Sequence, residues 1–380
     1  MKKLLLATAA AALTAGGAFA EDVKLGISLG FTGPLESMSP TMAQGAELAM
    51  KEATDSGKFM GGATVTPVRG DSTCVDAAAA TATVERLITA EGVKGIVGGM
   101  CSGETTASLQ NVAMPNGMVR ISPSATSPAL STLDDNGLFF RTSPSDARQG
   151  QVMTEIIMEH GIKSVALTYT NNDYGKGLAD SFAEAFTAAG GTVTINAAHE
   201  DGKADYAAEV GALASAGGDA LVIAGYVDQG GSGILRGALD SGAFETFVFP
   251  DGMVGATLQD NFGAEVNGSF GQIPSSEGAG KDKFIEMATA AGFDGTSVYS
   301  SEAYDAAALI MLGMAAAGST DPNVYKEKIM DVANAPGEPI LPGELGKAFE
   351  LIAAGQDIDY QGASSVELIG AGESDRKSVV

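Results

Sequence analysis

The run "VKGIVGG" (93–99) leads directly into "MCSGETT" (100–106), which sets Cys101, Ser102 and Glu104 after an apolar stretch. A thiol, a hydroxyl and a carboxylate in such a place could cut a substrate, hold a metal or hold a ligand. Each chemistry needs companions. "GISLG" (26–30) matches the Gly-x-Ser-x-Gly nucleophile elbow, which requires a strand, a sharp turn and a helix in immediate succession. Here Ser28 falls inside the apolar strand pattern, and the non-helical "FTGPLESMSP" (31–40) follows. The two histidines, His160 and His199, lie in other segments and have no paired spacing to each other or to the cysteines, so neither a triad nor a metal site is expected. No Gly-x-Gly-x-x-Gly follows a strand, and "GAGKDK" (278–283) lacks the P-loop spacing. Asp134 and Asp135 read as solvated surface. A hydrolase using Ser28 or Ser102 stands only as the rival reading; no cofactor and no metal are expected.

Cys74 and Cys101 are the only cysteines. The chain opens "MKKLLLATAAAALTAGGAFA", with two lysines, a short apolar core and a small-residue end at Ala20, as a secretory leader does. In an oxidising compartment the two thiols pair, closing a loop that restrains the unfolded chain by about 3.5 kcal/mol. A net charge of −25 makes nucleic acid and anionic lipid poor partners.

Other polar residues also sit at strand ends. "ISPSATSP" (121–128) places Ser124, Ala125 and Thr126 after a strand, with prolines on both sides. "NNDYGKG" offers Tyr174, "GYVDQGG" Tyr226 and "FPDGMVG" Asp251. One such hydroxyl alone is more often a helix cap than a ligand contact. Several at the same ends of strands in two facing units favour a binding cleft, because ligands of open parallel sheets lie beyond the carboxyl ends of the strands.

The elements that position them alternate along the chain. Strands such as "VKLGISLG", "TVTPVRG", "SVALTYT", "ALVIAGY" and "TFVFP" are separated by alanine-rich helical patterns. That order predicts an α/β fold with two doubly wound parallel-sheet lobes, since 380 residues exceed a usual single core. With residues 1–20 as the leader, lobe 1 is expected over 21–142 and 271–343, and lobe 2 over 143–270 and 344–380. Three hinge crossings follow, near 141–144, 271–274 and 341–346, and "SSVELIG" becomes the last strand of lobe 2.

The ordered set "GFTGPLESM", "GGMCSGETT", "RISPSATSPAL", "NNDYGKGLADSF", "GYVDQGGSGILRGALDSG" and "FPDGM" resembles the type I periplasmic binding proteins, in the branch that binds leucine, isoleucine and valine for ABC transporters. The resemblance covers essentially the whole chain after the leader. It implies a cystine of Cys74 and Cys101, Ser102 receiving a ligand carboxylate, and Ala125 and Thr126 holding it by backbone and hydroxyl. It also implies Asp251 against an α-ammonium, with Tyr174 and Tyr226 closing over the ligand. The implied protein is a monomer of the periplasm, not an enzyme, that hands a small molecule to an inner-membrane permease. Alternatives on the same fold are an amide, betaine or short-carboxylate ligand, or a sensor as partner. One departure stands out. The family's aromatic residue in the loop after the first strand is replaced by Leu35, Glu36, Ser37 and Met38. Glu36 reads either as solvated or as a contact for a polar ligand.

Overall fold

The computed structural model describes residues 22–370 and 372–374; the expected leader lies outside them. The chain begins with β1 (Asp22–Leu29), α1 (Ser39–Ser56), β2 (Thr64–Asp71), α2 (Ala77–Thr89), β3 (Ile96–Gly98), α3 (Ser102–Ser108), β4 (Arg120–Ser122) and β5 (Phe139–Arg141). A second series follows: α4 (Asp146–Glu159), β6 (Ser164–Thr170), α5 (Asp173–Ala188), β7 (Thr192–His199), α6 (Ala207–Ala216), β8 (Ala220–Ala224), α7 (Gly230–Ser241), β9 (Phe247–Phe249), α8 (Ala256–Phe262) and β10 (Phe270–Gly271). The remainder is α9 (Ala279–Ala291), α10 (Ser300–Ala317), α11 (Pro322–Ala333), β11 (Glu338–Ile340), α12 (Leu345–Ala353), β12 (Ile358–Tyr360), β13 (Leu368–Ile369) and β14 (Glu373–Ser374).

Two main sheets form. One has the order β13-β14-β5-β4-β3-β1-β2, parallel apart from the β13–β14 pair; the other is β10-β9-β8-β6-β7, wholly parallel. Strands buried on both faces explain the continuous apolar runs: every residue of β8, "ALVIA", is buried. In each sheet the order reverses beside the first strand of its series, between β1 and β3 and between β6 and β8. These switch points place the loops after those strands over one crevice.

Helix α1 starts with Pro40 in its first turn and turns Met42, Ala46, Ala49, Met50 and Ala53 inward. It packs on α10, whose residues from Ser300 to Met314 are all buried, as an apolar helix inside a lobe must be. The two approach closely because position 45 is glycine; a Cβ there would lie 2.2 Å from the Ser300 carbonyl oxygen. Asp76 caps α2, accepting from the Ala78 and Ala79 amides at 2.9 and 3.0 Å.

One expectation is corrected. The segment 344–374 does not return to the second lobe, so the third crossing expected near 341–346 is not made among the described residues, and two remain. Helix α12 packs on α1 and α10, and β14 pairs with β5 at the edge of the first-lobe sheet. The cause is Arg141, buried at the end of β5. Its amide donates to the Gly372 carbonyl at 2.9 Å, and its guanidinium pairs with Glu373 and Ser131. A buried guanidinium needs such a partner, and the C-terminal strand supplies it.

Candidate functional site

Cys74 and Cys101 are joined, with Cα atoms 5.1 Å apart, so the thiol in "GGMCSGETT" is a brace. It ties the loop after β2 to the loop after β3. Glu104, in the first turn of α3, accepts from the Met100 and Cys101 amides at 2.7 and 3.3 Å and from Ser72. Burial pushes its carboxyl up to about 7, against the pull of the Arg120 guanidinium. The loop that presents Ser102 is therefore held from below.

Ser102, Ala125 and Thr126 come together in the first lobe, all buried. Ser102 Oγ accepts from the Ser127 amide at 3.0 Å, which joins the loops after β3 and β4. Ala125 has its backbone engaged already: its N–H donates to Ser122 Oγ at 2.9 Å and its carbonyl accepts from Arg141 Nη1 at 3.1 Å. It shapes the turn and keeps only a second carbonyl lone pair. Thr126 Oγ1 is buried without a partner.

The second lobe presents Tyr174, Tyr226 and Asp251. The tyrosine rings stack 5.2 Å apart and 11° from parallel. Asp251 stands in the short turn after β9. Its Oδ1 accepts from Tyr174 Oη at 2.9 Å and Gln149 Nε2 at 2.7 Å, and its Oδ2 from Tyr299 Oη at 2.6 Å. Burial raises the Asp251 pKa, and these three donors counteract it. The neighbouring position, Gly252, admits no side chain: a Cβ would meet the Gly225 carbonyl at 2.6 Å and Tyr174 Oη at 2.9 Å.

Tyr299, Gln149 and Asp146 were not among the sequence candidates. Tyr299 precedes α10 with a left-handed φ of 62°, a conformation that aims its ring out of the helix path. Asp146 and Gln149 share a face of the first turn of α4, where an acid reads as an ordinary helix start.

The lobes meet around a small cavity lined by Leu35, Met38, Met100, Ser102, Ser124, Tyr174, Tyr226, Asp251 and Tyr299, among others. It admits the centre of a water-sized sphere over only about 10 Å³. Beyond Met38 lies a chamber of about 520 Å³ on the same measure, walled by both lobes through Thr41, Val254, Thr257, Ile273 and Thr296. Met38 borders both spaces. Glu36 is exposed, in keeping with a solvated residue, while Leu35 and Met38 are buried. The loop that carries them grips the second lobe: Ser37 N–H donates to Asp228 Oδ2 at 2.9 Å, and Asp228 N–H to the Pro34 carbonyl at 3.1 Å.

Nothing about Ser28 or Ser102 is organised for nucleophilic attack. Both lie in the first lobe, whereas His160 stacks on Phe270 and His199 Nδ1 faces Thr168 Oγ1, both in the second. Among the described residues no cluster of potential metal ligands is found.

Two lobes with parallel sheets thus face each other across a cleft of polar strand ends. The family model of the periplasmic binding proteins matches residues 22–337, and the chain belongs to that family. It is 30% identical over 364 residues to "Leu/Ile/Val-binding protein homolog 1" of Brucella melitensis, spanning 91% of this chain and 95% of that one. It is 28% identical over 349 residues to the leucine-, isoleucine-, valine-, threonine- and alanine-binding protein of Pseudomonas aeruginosa, 91% of each chain. Its fold matches the crystal structure of a leucine-binding protein, LivK, of Thermotoga maritima with a TM-score of 0.77 at 22% identity, over 93% of each chain.

Proposed function

We propose that the protein is an exported receptor for an amino acid of branched-chain or related type, which it delivers to an inner-membrane ABC permease. The observation that carries this is the pairing of opposite demands across one cleft. The hydroxyls of Ser102 and Thr126 stand on the first lobe, and the buried carboxylate of Asp251 stands on the second. An α-amino acid carries a carboxylate and an ammonium on one carbon, and this arrangement has a partner for each. Ser102 and Thr126 take the carboxylate side, with Ala125 shaping the turn between them. Asp251 takes the ammonium side, and the stacked Tyr174 and Tyr226 cover the ligand. The amino acids in the relatives' names support this class. Binding contacts both lobes and so favours the closed form, which a permease can read. The leader expected over 1–20 supports a periplasmic location, and a monomer suffices because one chain carries both walls.

A thermal-shift screen of the mature protein over amino acids, amides, betaines and short carboxylates tests the proposal. An amino acid at 100 times its dissociation constant should add about 2.7 kcal/mol of stability. A shift with betaines or simple carboxylates alone would remove the amino-acid assignment and leave the fold untouched.

A further inference from the structure

Asp146 is the charged group beside the cleft whose needs are least met. It is wholly buried as the first residue of α4, and neither of its carboxylate oxygens accepts a hydrogen bond. Its backbone N–H donates to the Thr126 carbonyl at 2.9 Å, which fixes it at the seam between the lobes. The buried Thr126 hydroxyl beside it has no other partner and is the one side-chain donor that eases it. The charged and titratable groups that face it are Asp251, Arg141 and the hydroxyls of Tyr174, Tyr226 and Tyr299. Arg141 is occupied elsewhere, donating to the Ala125 and Ser127 carbonyls, to Ser131 and to Glu373. Asp251 already accepts three hydrogen bonds. The two carboxylates thus differ: Asp251 has three close donors, whereas Asp146 has only the Thr126 hydroxyl and the Arg141 charge to ease it, and neither offsets its burial.

A wholly buried carboxylate with so little support is strongly disfavoured unless it holds a proton or meets a cation. We infer that Asp146 is a second partner for the ligand's ammonium, which sits between Asp146 and Asp251, and that one proton leaves the site as the ligand enters. This rests on the amino-acid reading above. The oxygens of two carboxylates can accept the N–H bonds of a primary ammonium, and a quaternary ammonium has none to give. The site therefore selects primary amines over betaines. The balance is simple. In the empty protein, burial and the nearby Asp251 keep Asp146 protonated well above the ordinary carboxylate range. The arriving cation takes over the role of that proton, which passes to solvent, and no bond other than O–H is broken. The two acids titrate as a pair, so the released proton belongs to the pair.

Isothermal titration of the mature protein with L-alanine, L-leucine and glycine, across about pH 5 to 8 and in buffers of different ionisation heat, counts that proton. Wild type should release it, with affinity rising by up to about tenfold per pH unit over the lower part of the range. Asp146→Asn should bind at least about 30-fold more weakly and release none. Thr126→Val should weaken binding but keep the release. Glycine betaine should bind far more weakly than glycine. The inference is overturned if Asp146→Asn, melting cooperatively, keeps wild-type affinity and pH slope, or if glycine betaine equals glycine. Should Asp146→Asn not fold, the wild-type proton count decides, and a count of zero overturns the inference. Failure of the wild type to bind any of the three amino acids defeats the amino-acid reading itself, an outcome distinct from any behaviour of the variants.

Discussion

Tyr299 of the first lobe donates a 2.6 Å hydrogen bond to Asp251 Oδ2 of the second, and so links the two walls of the cleft directly. A hydrogen bond to a charged group contributes about 1.5–3 kcal/mol. Tyr299→Phe keeps the ring and removes the link. The free protein should then scatter as a more extended particle, and the affinity for its amino acid should fall about tenfold or more. Unchanged scattering and affinity would show that the bond does not bias the lobes.

Asp251→Asn separates two roles of one side chain. The amide can serve Tyr174 and Gln149 through its oxygen, but it turns an N–H toward the Tyr299 hydroxyl. Ligand affinity should fall by roughly 30-fold or more, because the ammonium loses a partner inside a closed site. The empty protein should also lose about 1–3 kcal/mol in urea melts, since a buried donor is left poorly matched. A variant that binds as wild type does would mean that no ammonium sits there.

Met38 borders both the small inner cavity and the larger chamber. Met38→Ala should join them and shift preference from short side chains such as alanine toward longer ones such as leucine, by about tenfold in the ratio of affinities. That scale follows from about 1–3 kcal/mol per methylene gained or lost in an apolar pocket. Competition binding with the two amino acids measures the ratio. A ratio equal to that of wild type would place the ligand side chain elsewhere.

Acid should at first stabilise the empty protein. Burial pushes Glu104 up to about 7 and Asp305 to about 6, against about 4 in an unfolded chain. The folded state therefore binds these protons more readily. Their stabilising contribution is complete below about pH 4 and is lost as pH rises through 6 and 7. His199 opposes them: burial lowers it to about 4, so its contribution is lost as pH falls from its ordinary value toward 4. Two acids outweigh one histidine, and the melting temperature should rise from about pH 8 to about 5.5. Glu104→Gln should flatten the upper part of that slope. A monotonic fall in melting temperature over this range would contradict it.

The alternation of strands and helices was legible because each strand is buried on both faces and reads as one apolar run, as β8 does. Ser102, Thr126, Tyr174, Tyr226 and Asp251 were legible as polar residues just past such runs. Tyr299 was not. Its hydroxyl reaches a carboxylate 48 residues away, and the turn that aims it has no marker in "SVYSSE". Gln149 and Asp146 were masked by their place at a helix start, where such residues are common. The lobe of the C-terminal strand hangs on Arg141 and Glu373, which are 232 residues apart, and no local pattern reports such a bond.

The pairing of β14 with β5 makes the second lobe one uninterrupted stretch, from α4 to β10, set into a first lobe that owns both ends of the described chain. Synthesis from the N terminus therefore finishes the inserted lobe before the outer one has its central helix. Until α10 emerges, α1 can lie on β1 and β2 but the side it turns to α10 stays uncovered, and β5 lacks its edge partner until the last described residues. The half begun first is the half completed last. A nascent or exported chain carries that uncovered apolar surface for most of its length, and loss of the last described residues leaves the edge of β5 open and Arg141 without its carboxylate.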